Sequence, residues 1–454
     1  MPAAGYIRRM LRPWLVLRPA KFPDDRLVLP RVTGEFNMRP FLHINWSARM
    51  RFFGAALKGL TLLAFGSSVL AAPSIERRQD EGDAEAGGDM HWVPTWVSMP
   101  QLVEPNNLPP RHSQFQGATL RQTLRMTVGA ERIRIQFSNT FGTSPLPITA
   151  VTVALPTGGA AGASVSVPAG QVIYSDPIDY AVETGSMLTV SMFLESGQQG
   201  SSITGHPGSR TTSWMANGNA VKEANVAGGN TNHWYFVSGV EIWAPTDTGT
   251  CIILGDSITD GRGSEDNKNN RWPDLLFDRL QKEGVTNVAF GNQAAGGNAI
   301  LSGGLGPTLL TRYQRDAIEQ PGVKYVMIFE GVNDLGNGPQ DQGGASGLAD
   351  RIIDAYKKII ADSKAKGYIT IGATITPFTG QGQSYGSPGR EAARQKVNEW
   401  IMTSGEFDHS VDFAAFIGQG DALKSQFDGG DHLHPNVAGY QEIADKFPIE
   451  IFQS

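Results

Sequence analysis

Residues 91–245 are dominated by an alternation of apolar and polar positions with a period of two. The alternation is clearest in the runs 119–128, 132–138 and 187–194, and it is typical of strands that bury one face. Glycine and proline separate the runs, and no helical pattern stands out among them. The sequence therefore predicts an all-β sandwich or jelly-roll-like domain over residues 91–245.

The pattern changes after the predicted linker 244–249, where short apolar runs begin to alternate with longer segments of helical period. Strands separated by helices predict a parallel sheet covered on both faces, which makes residues 250–454 an α/β domain. The predicted strands are Cys251–Leu254, Asn287–Phe290, Tyr325–Phe329, Ile369–Thr374 and Ser410–Phe413. The predicted helices are Trp272–Lys282, Leu348–Lys366, Arg390–Thr403 and a last one after Pro435.

The first 78 residues are richer in basic than in acidic side chains, unlike the rest of the chain. Residues 50–58 match a basic n-region, residues 60–70 an apolar h-region and residues 69–71 a cleavage site, so 50–78 is predicted to be a signal peptide with a short pro-segment. Residues 1–49 would be an upstream extension without a fold, or a genuine basic tail, and residues 79–90 a flexible leader. The protein is therefore expected to be secreted and extracellular. The apolar run is too short for a stable membrane anchor.

The charge balance narrows the range of partners. The chain has 38 Lys and Arg against 44 Asp and Glu, and much of the basic content lies before residue 79. The remainder is therefore strongly acidic, which argues against nucleic acid and anionic membranes as partners. Cys251 is the only cysteine, so no internal disulfide can form, and its place at the head of an apolar strand predicts a buried filler.

Four polar motifs follow predicted strands of the α/β domain. Gly255-Asp-Ser257 follows the first strand, Asn292–Asn298 the second, Gly331–Asp334 the third, and Asp431–Asn436 opens the final helix. Reactive groups of an open parallel sheet collect at the carboxyl ends of its strands. Each motif alone is weak, but four in this order predict one site.

The residue types in these motifs suit acyl transfer. Ser257 is the candidate nucleophile, and His434 the base that takes its proton. Asp431, three residues before His434, can hold the other ring nitrogen and fix the tautomer. The backbone N–H groups of Ser257 and Gly297 and the side-chain amide of Asn333 can stabilise the oxyanion of a tetrahedral intermediate.

Together the motifs resemble the SGNH (GDSL-type) hydrolase superfamily, which is named for a Ser, a Gly, an Asn and a His. In this sequence those residues are Ser257, Gly297, Asn333 and His434. The resemblance covers residues 250–454 and implies a flavodoxin-like three-layer α/β/α fold, a carboxylic ester hydrolase activity, no metal and no organic cofactor.

The longer runs 255–261, 271–274, 330–334 and 431–436 resemble a secreted branch with an N-terminal β domain, similar to xylanase-linked acylhydrolases. By analogy the substrate is an acylated polysaccharide of the plant cell wall, most simply its acetyl esters, or a small ester. Two other functions stay open: a lipase or lysophospholipase acting on longer acyl chains, and a carbohydrate-binding protein with a vestigial hydrolase domain.

Several residues compete with this assignment. Gly382-Gln-Ser-Tyr-Gly386 fits the nucleophile elbow of α/β-hydrolases, but 377–382 separates Ser384 from the preceding strand, so we expect a loop. His432 is expected to point away from His434, and a metal site is disfavoured because helical His pairs are absent. His206 and His233-Trp-Tyr235 could face carbohydrate, although alternation of Trp234 and Phe236 as strand core is the favoured interpretation.

Overall fold

The computed structural model describes residues 89–109, 115–155, 158–162 and 164–453. The predicted extension, signal peptide and pro-segment, and nearly all of the leader, lie outside the described residues, so they stay predictions. Among the described residues, no helix combines the length and apolar character needed to cross a membrane.

The N-terminal part of the described chain is built of short strands. They are β1 (Met90–Val97), β2 (Gln101–Leu102), β3 (Ala118–Arg125), β4 (Ala130–Ser138), β5 (Leu146–Ile148), β6 (Ala150–Leu155), β7 (Gly158–Gly162), β8 (Val165–Val167), β9 (Val172–Tyr174), β10 (Ile178–Val182), β11 (Met187–Leu194), β12 (Thr204–His206), β13 (Ser213–Asn217), β14 (Gly229–Thr231), β15 (Trp234–Tyr235) and β16 (Val237–Pro245). The helical structure described in this part is a single 3-10 turn at Pro105–Asn107.

These strands form two large antiparallel sheets and two small ones. One large sheet runs β1-β16-β4-β10 with β9 beside β4, and the other runs β14-β13-β3-β11-β6-β7. The small sheets are β15-β12-β2 and β5-β8. Strand β3 shows the predicted alternation, because Leu120 and Leu124 are fully buried whereas Arg121 and Arg125 are partly exposed. The β-rich character of the region is confirmed, and its jelly-roll connectivity stays a prediction.

The aromatic run at 234–236 does not face solvent. Trp234, Tyr235 and Phe236 are 5%, 0% and 1% exposed, so the carbohydrate-facing role considered for Trp234 and Tyr235 is wrong. The favoured interpretation, alternation along a strand, is also incomplete. Phe236 adopts a φ of 63° just after β15, which turns its side chain inward along with its neighbours.

The C-terminal part alternates strands and helices. The strands are β17 (Gly249–Gly255), β18 (Val288–Ala294), β19 (Val323–Phe329), β20 (Ile369–Ala373), β21 (His409–Val411), β22 (Gly418–Gln419) and β23 (Ala422–Leu423). The helices are α1 (Ser257–Asp260), α2 (Trp272–Lys282), α3 (Leu309–Tyr313), α4 (Val332–Asn337), α5 (Gln342–Ala365), α6 (Pro388–Thr403), α7 (Phe413–Ile417) and α8 (Val437–Lys446). A π-helical turn follows α3, and a 3-10 turn follows α8.

Five of these strands form one parallel sheet in the order β18-β17-β19-β20-β21. This is the flavodoxin-like order, in which the first crossover runs in the direction opposite to the later ones. Because such crossovers are right-handed, α2 lies on one face of the sheet and α5 and α6 on the other. The predicted three-layer α/β fold is confirmed.

The β-rich part packs directly on this sheet. The guanidinium of Arg125 donates to the carboxylate of Asp278 in α2, and the backbone N–H of Phe290 donates to Thr127 Oγ1 at 3.1 Å. One contiguous apolar cluster includes buried residues from both parts, such as Val97. The predicted division into domains at 245–250 stays a prediction, but the two parts share a core.

Candidate active site

Ser257, His434 and Asp431 lie together at the carboxyl edge of the parallel sheet. Ser257 is the first residue of α1, two positions beyond the end of β17, and His434 precedes α8 in the chain. The Ser257 Oγ lies 2.8 Å from His434 Nε2, and His434 Nδ1 lies 2.7 Å from Asp431 Oδ2. This is the connectivity that a nucleophile, a base and an orienting carboxylate need.

The Asp431 carboxylate is held ionised by its surroundings. Its Oδ1 accepts the backbone N–H groups of Leu433 at 3.1 Å and His434 at 2.9 Å. Partial burial opposes ionisation, but these hydrogen bonds and the His434 ring together lower the pKa of Asp431. A charged carboxylate fixes Nδ1 of His434 as the donor and leaves Nε2 free to accept the serine proton.

The His434 ring is kept neutral. Burial lowers its pKa, the nearby Asp431 works in the opposite direction, and the positive charges of Arg262 and Arg210 lower it further. A neutral imidazole is the form that can act as a base. The lowered pKa therefore favours the neutral form of His434, the candidate base, at neutral pH.

The helix that carries Ser257 is capped at both ends. Asp256 accepts the backbone N–H of Ile258 at 3.0 Å, and Gly261 ends the single turn with a φ of 102°. Burial raises the pKa of Asp256 to about 7. Because Ser257 is the first helical residue, its own N–H has no partner within the helix, which leaves it available to an oxyanion.

Gly297 and Asn333 follow the two strands that flank β17. Gly255 pairs with Ala294 of β18 and with Phe329 of β19, so all three segments leave the sheet at the same edge. Gly297 has a φ of 70°, a conformation that favours glycine.

Hydrogen bonds join the two segments that hold these donors. Asn333 Nδ2 donates to the carbonyl of Asn298 at 2.7 Å. The Asp334 carboxylate accepts the N–H groups of Ile300 and Leu301, both at 2.8 Å. One of the two Nδ2 hydrogens of Asn333 is used by Asn298, which leaves the other for a ligand.

Residues 253–442 match the model of the GDSL-like lipase/acylhydrolase family. They form a GDSL-like lipase/acylhydrolase domain. The recognition made from the four motifs is thereby confirmed, and so is the class of enzyme, which is an ester hydrolase. A comparison with curated proteins gives no match.

Solved structures similar to this chain align with it over less than half of its length. An acetyl xylan esterase variant from Geobacillus stearothermophilus is 21% identical, with 45% of this chain and 96% of that chain covered and a TM-score of 0.35. The lipase/acylhydrolase from Enterococcus faecalis is 18% identical, with the same coverages and TM-score. At this level the likenesses carry no conclusion about substrate.

The competing residues do not take the places of Ser257 and His434. Ser384 is an exposed turn residue between β20 and α6, not a strand-to-helix elbow. His432 turns away from Ser257, because its Nδ1 pairs with Asp428 Oδ2 at 2.6 Å. Cys251 is fully buried in β17, and burial raises the pKa of its thiol.

A buried arginine that the sequence did not predict lies beneath the site. Arg312 donates to the carbonyls of Gly255 at 3.2 Å and Gln293 at 2.6 Å, and to Asn298 Oδ1 at 2.9 Å. Its side chain has no exposed surface and also pairs with Asp316 and Glu330. Arg312 thus ties together the ends of β17 and β18 and the Gly297 segment. No sequence motif surrounds it, so nothing in the pattern singled it out.

The loop that contains the elbow-like motif also contacts the site. Gln383 Nε2 donates to the backbone carbonyl of Asp431 at 2.7 Å, and the Tyr385 hydroxyl donates to Asn333 Oδ1 at 2.8 Å. The sequence pattern drew attention only to the serine of this motif. Gln383, on one side of that serine, holds the backbone of Asp431, and Tyr385, on the other side, holds the side chain of Asn333.

Proposed function

We propose that this chain is a secreted serine esterase that removes O-acyl groups, principally acetyl, from plant cell-wall polysaccharide. The observation that carries the esterase mechanism is the pair of hydrogen bonds that joins Ser257 to His434 and His434 to Asp431. The choice of polysaccharide rests on the family resemblance and on the signal-like segment at 50–78.

In the first half of the reaction, Ser257 Oγ attacks the ester carbonyl and its proton passes to His434 Nε2. The tetrahedral intermediate places a negative oxygen near the N–H groups of Ser257 and Gly297 and the amide of Asn333. One such donor lowers the barrier by about 3–4 kcal/mol in comparable sites. The intermediate then expels the alcohol, which takes the proton from His434 and leaves an acyl-enzyme.

In the second half, water replaces the alcohol. His434 Nε2 accepts a proton as the water oxygen attacks the acyl carbon, and the same proton then returns to Ser257 Oγ as the acid leaves. Asp431 stays ionised throughout and stabilises the transient imidazolium. The residues needed are all present in this chain.

Longer acyl chains are the second candidate substrate class, because one large apolar side chain stands exposed beside the site. Leu305 is 56% exposed, and its Cδ1 would lie 3.0 Å from a Cβ placed on Gly297. An apolar group at that place can contact an acyl chain or an aryl alcohol. The complete triad argues against the third possibility, a vestigial hydrolase domain attached to a binding protein.

The mechanism is tested by covalent labelling with a fluorophosphonate probe. We expect the wild type to be labelled, Ser257→Ala to lose both labelling and esterase activity, and Ser384→Ala to keep both. Ser384 is the matched control because it is the other serine in a hydrolase-like motif. Labelling that survives Ser257→Ala and is lost in Ser384→Ala would overturn the assignment.

The substrate class is tested with one set of assays on the wild type. Acetate release from acetylated xylan is compared with hydrolysis of p-nitrophenyl acetate and p-nitrophenyl esters of long-chain acids. We expect acetate release and a preference for the acetyl ester. A preference for long chains without acetate release would favour the lipase alternative.

A further inference from the structure

A buried histidine of the β-rich part contacts the helix that carries the nucleophile. His206, the last residue of β12, places Nε2 at 2.8 Å from Asp260 Oδ1, and its Nδ1 donates to the carbonyl of Met99 at 3.0 Å. The side chains of His206 and Asp260 are each 5% exposed. Both ring nitrogens of His206 are therefore occupied inside the protein.

Asp260 is one helical turn from the reacting hydroxyl. It ends α1, the helix that Ser257 begins, and its N–H donates to the carbonyl of Asp256 at 2.9 Å. The carbonyl of Ser257 in turn accepts the N–H of Gly261 at 3.0 Å. Because α1 is a single turn, no further helical turns separate Asp260 from Ser257. A displacement of Asp260 therefore also displaces Ser257.

A second link runs from the same β segment to the same residue. Arg271 Nε donates to the backbone carbonyl of Asp260 at 2.8 Å, and its guanidinium also donates to the carbonyl of Ser209. Gly208 approaches so closely that a Cβ there would lie 1.7 Å from Asp260 Oδ2. The segment 206–209 thus holds both the side chain and the backbone at the end of α1.

An aromatic side chain that packs on the face of the His206 ring fixes the orientation of that ring. Trp234 stacks on it with ring centroids 5.8 Å apart and an interplanar angle of 27°, and the guanidinium of Arg271 lies 5.7 Å from the centre of the Trp234 ring. The carbonyl of Met99 can only accept, so Nδ1 donates to it and Nε2 faces the carboxylate of Asp260. In a buried site a short hydrogen bond to a carboxylate is strong and directional.

We propose that His206 is a positioning residue for the ester hydrolysis: through Asp260 it fixes α1, and with it Ser257 Oγ, so the β-rich part completes the active site rather than serving as a detachable binding module. The inference rests on the proposed serine mechanism. It assigns His206 no contact with substrate.

Two substitutions at position 206 separate the two hydrogen bonds. In His206→Asn the amide can replace Nδ1 and keep the bond to Met99, but it cannot reach Asp260. In His206→Gln the amide can replace Nε2 and keep a donor to Asp260. Gly208→Ala is a third probe, because it pushes on the Asp260 carboxylate while leaving His206 intact. Asp278→Ala is the matched control, because it removes the carboxylate that accepts from Arg125, at the same interface but not on α1.

The readouts are kcat and KM for p-nitrophenyl acetate, the rate of fluorophosphonate labelling, and the melting temperature. We expect His206→Asn and Gly208→Ala to lower kcat and the labelling rate about tenfold or more with KM changed less than about twofold, because small misplacements of a nucleophile are costly. His206→Gln should recover most of kcat. Asp278→Ala should lower only the melting temperature.

The inference is overturned if all three site variants keep kcat within about twofold of wild type while melting earlier, since that pattern marks a purely structural histidine. It is also overturned if His206→Asn keeps more activity than His206→Gln. Failure of the underlying mechanism has a different signature, because the wild type would then not be labelled at Ser257 at all.

Discussion

The Tyr385 hydroxyl donates to Asn333 Oδ1 at 2.8 Å, while Nδ2 of the same amide donates to the carbonyl of Asn298 at 2.7 Å. A backbone carbonyl can only accept, so the amide nitrogen of Asn333 must face Asn298. Tyr385 then stabilises this orientation from the oxygen side. The amide is thus set with its remaining hydrogen free for the oxyanion before substrate arrives.

Tyr385→Phe should therefore lower kcat about tenfold, the cost of losing one orienting hydrogen bond in the transition state. KM for a small ester should change little, since Tyr385 acts through Asn333. Tyr313→Phe is the matched control, because its hydroxyl donates to Asp362 away from the site. Steady-state kinetics on both variants checks the prediction, and equal kcat values for the two would contradict it.

The sequence offered Ser384 as an alternative nucleophile but gave no role to its neighbour Tyr385, which contacts Asn333 in the structure. Local patterns thus predicted some features of the site and not others. Strand ends and the four motifs predicted the sheet, its edge and the triad, because hydrophobic period and residue chemistry are local signals. The helices α1, α3, α4 and α7 were not predicted, because each is six residues or fewer and too short to show a helical period.

Contacts made across the fold left no local signal either. Arg312 lies 57 residues from Gly255, and His206 lies 54 residues from Asp260, yet each pair is joined by a hydrogen bond. Only the packing of distant segments brings these partners together. Residues such as Arg312 and His206, which support the site through distant contacts, could therefore not be predicted from one sequence. The candidate triad could be predicted, because its residues stand in local motifs.

Two Asp–His pairs lie in one loop, and only one should matter for catalysis. Asp431 pairs with the ring of His434, and Asp428 with the ring of His432. Asp431→Asn should lower kcat by about 10⁴-fold, because a neutral amide no longer fixes the tautomer of His434 or stabilises its charged form. The measurement is kcat for p-nitrophenyl acetate.

Asp428→Asn is the internal control for that change. An asparagine keeps an oxygen that can accept the N–H groups of Gly430 and His432, now held by Asp428 Oδ1. We expect activity within a few-fold of wild type. Comparable losses in the two variants would mean that the loop as a whole, and not the Asp431–His434 pair, limits the rate.

Arg312 should be among the most costly residues to replace in this domain. Its guanidinium is completely buried and pairs with two carboxylates. It also donates to two backbone carbonyls and to the side-chain oxygen of Asn298. Arg312→Met leaves the carboxylates of Asp316 and Glu330 without this partner, which should lower the free energy of unfolding by about 3–5 kcal/mol. Urea denaturation measures the loss.

Lys358→Met provides the comparison for Arg312. Lys358 also pairs with an aspartate four residues later, but its side chain is 58% exposed. Removing that exposed pair should lower the free energy of unfolding by less than about 1 kcal/mol. Similar losses for Lys358→Met and Arg312→Met would show that the buried network does not stabilise the fold.

The pH dependence of the reaction should reflect the charges around His434. Burial lowers the pKa of His434, and Arg262 and Arg210 lower it further against the effect of Asp431. Protonation of His434 removes the base, so the acid limb of kcat/KM should have its midpoint below about 6.5, the ordinary value for histidine. Arg262 is exposed, so it can be replaced without disturbing the core.

Arg262→Gln removes a positive charge that disfavours the imidazolium, so the pKa of His434 should rise and the acid limb should move to higher pH. The shift should shrink as salt is added, because the charge of an exposed side chain is screened. Lys366→Gln, an equal charge change at another exposed position, should leave the limb in place. A limb that stays fixed in Arg262→Gln at low salt, or moves equally in Lys366→Gln, would contradict this account of how the base is kept neutral.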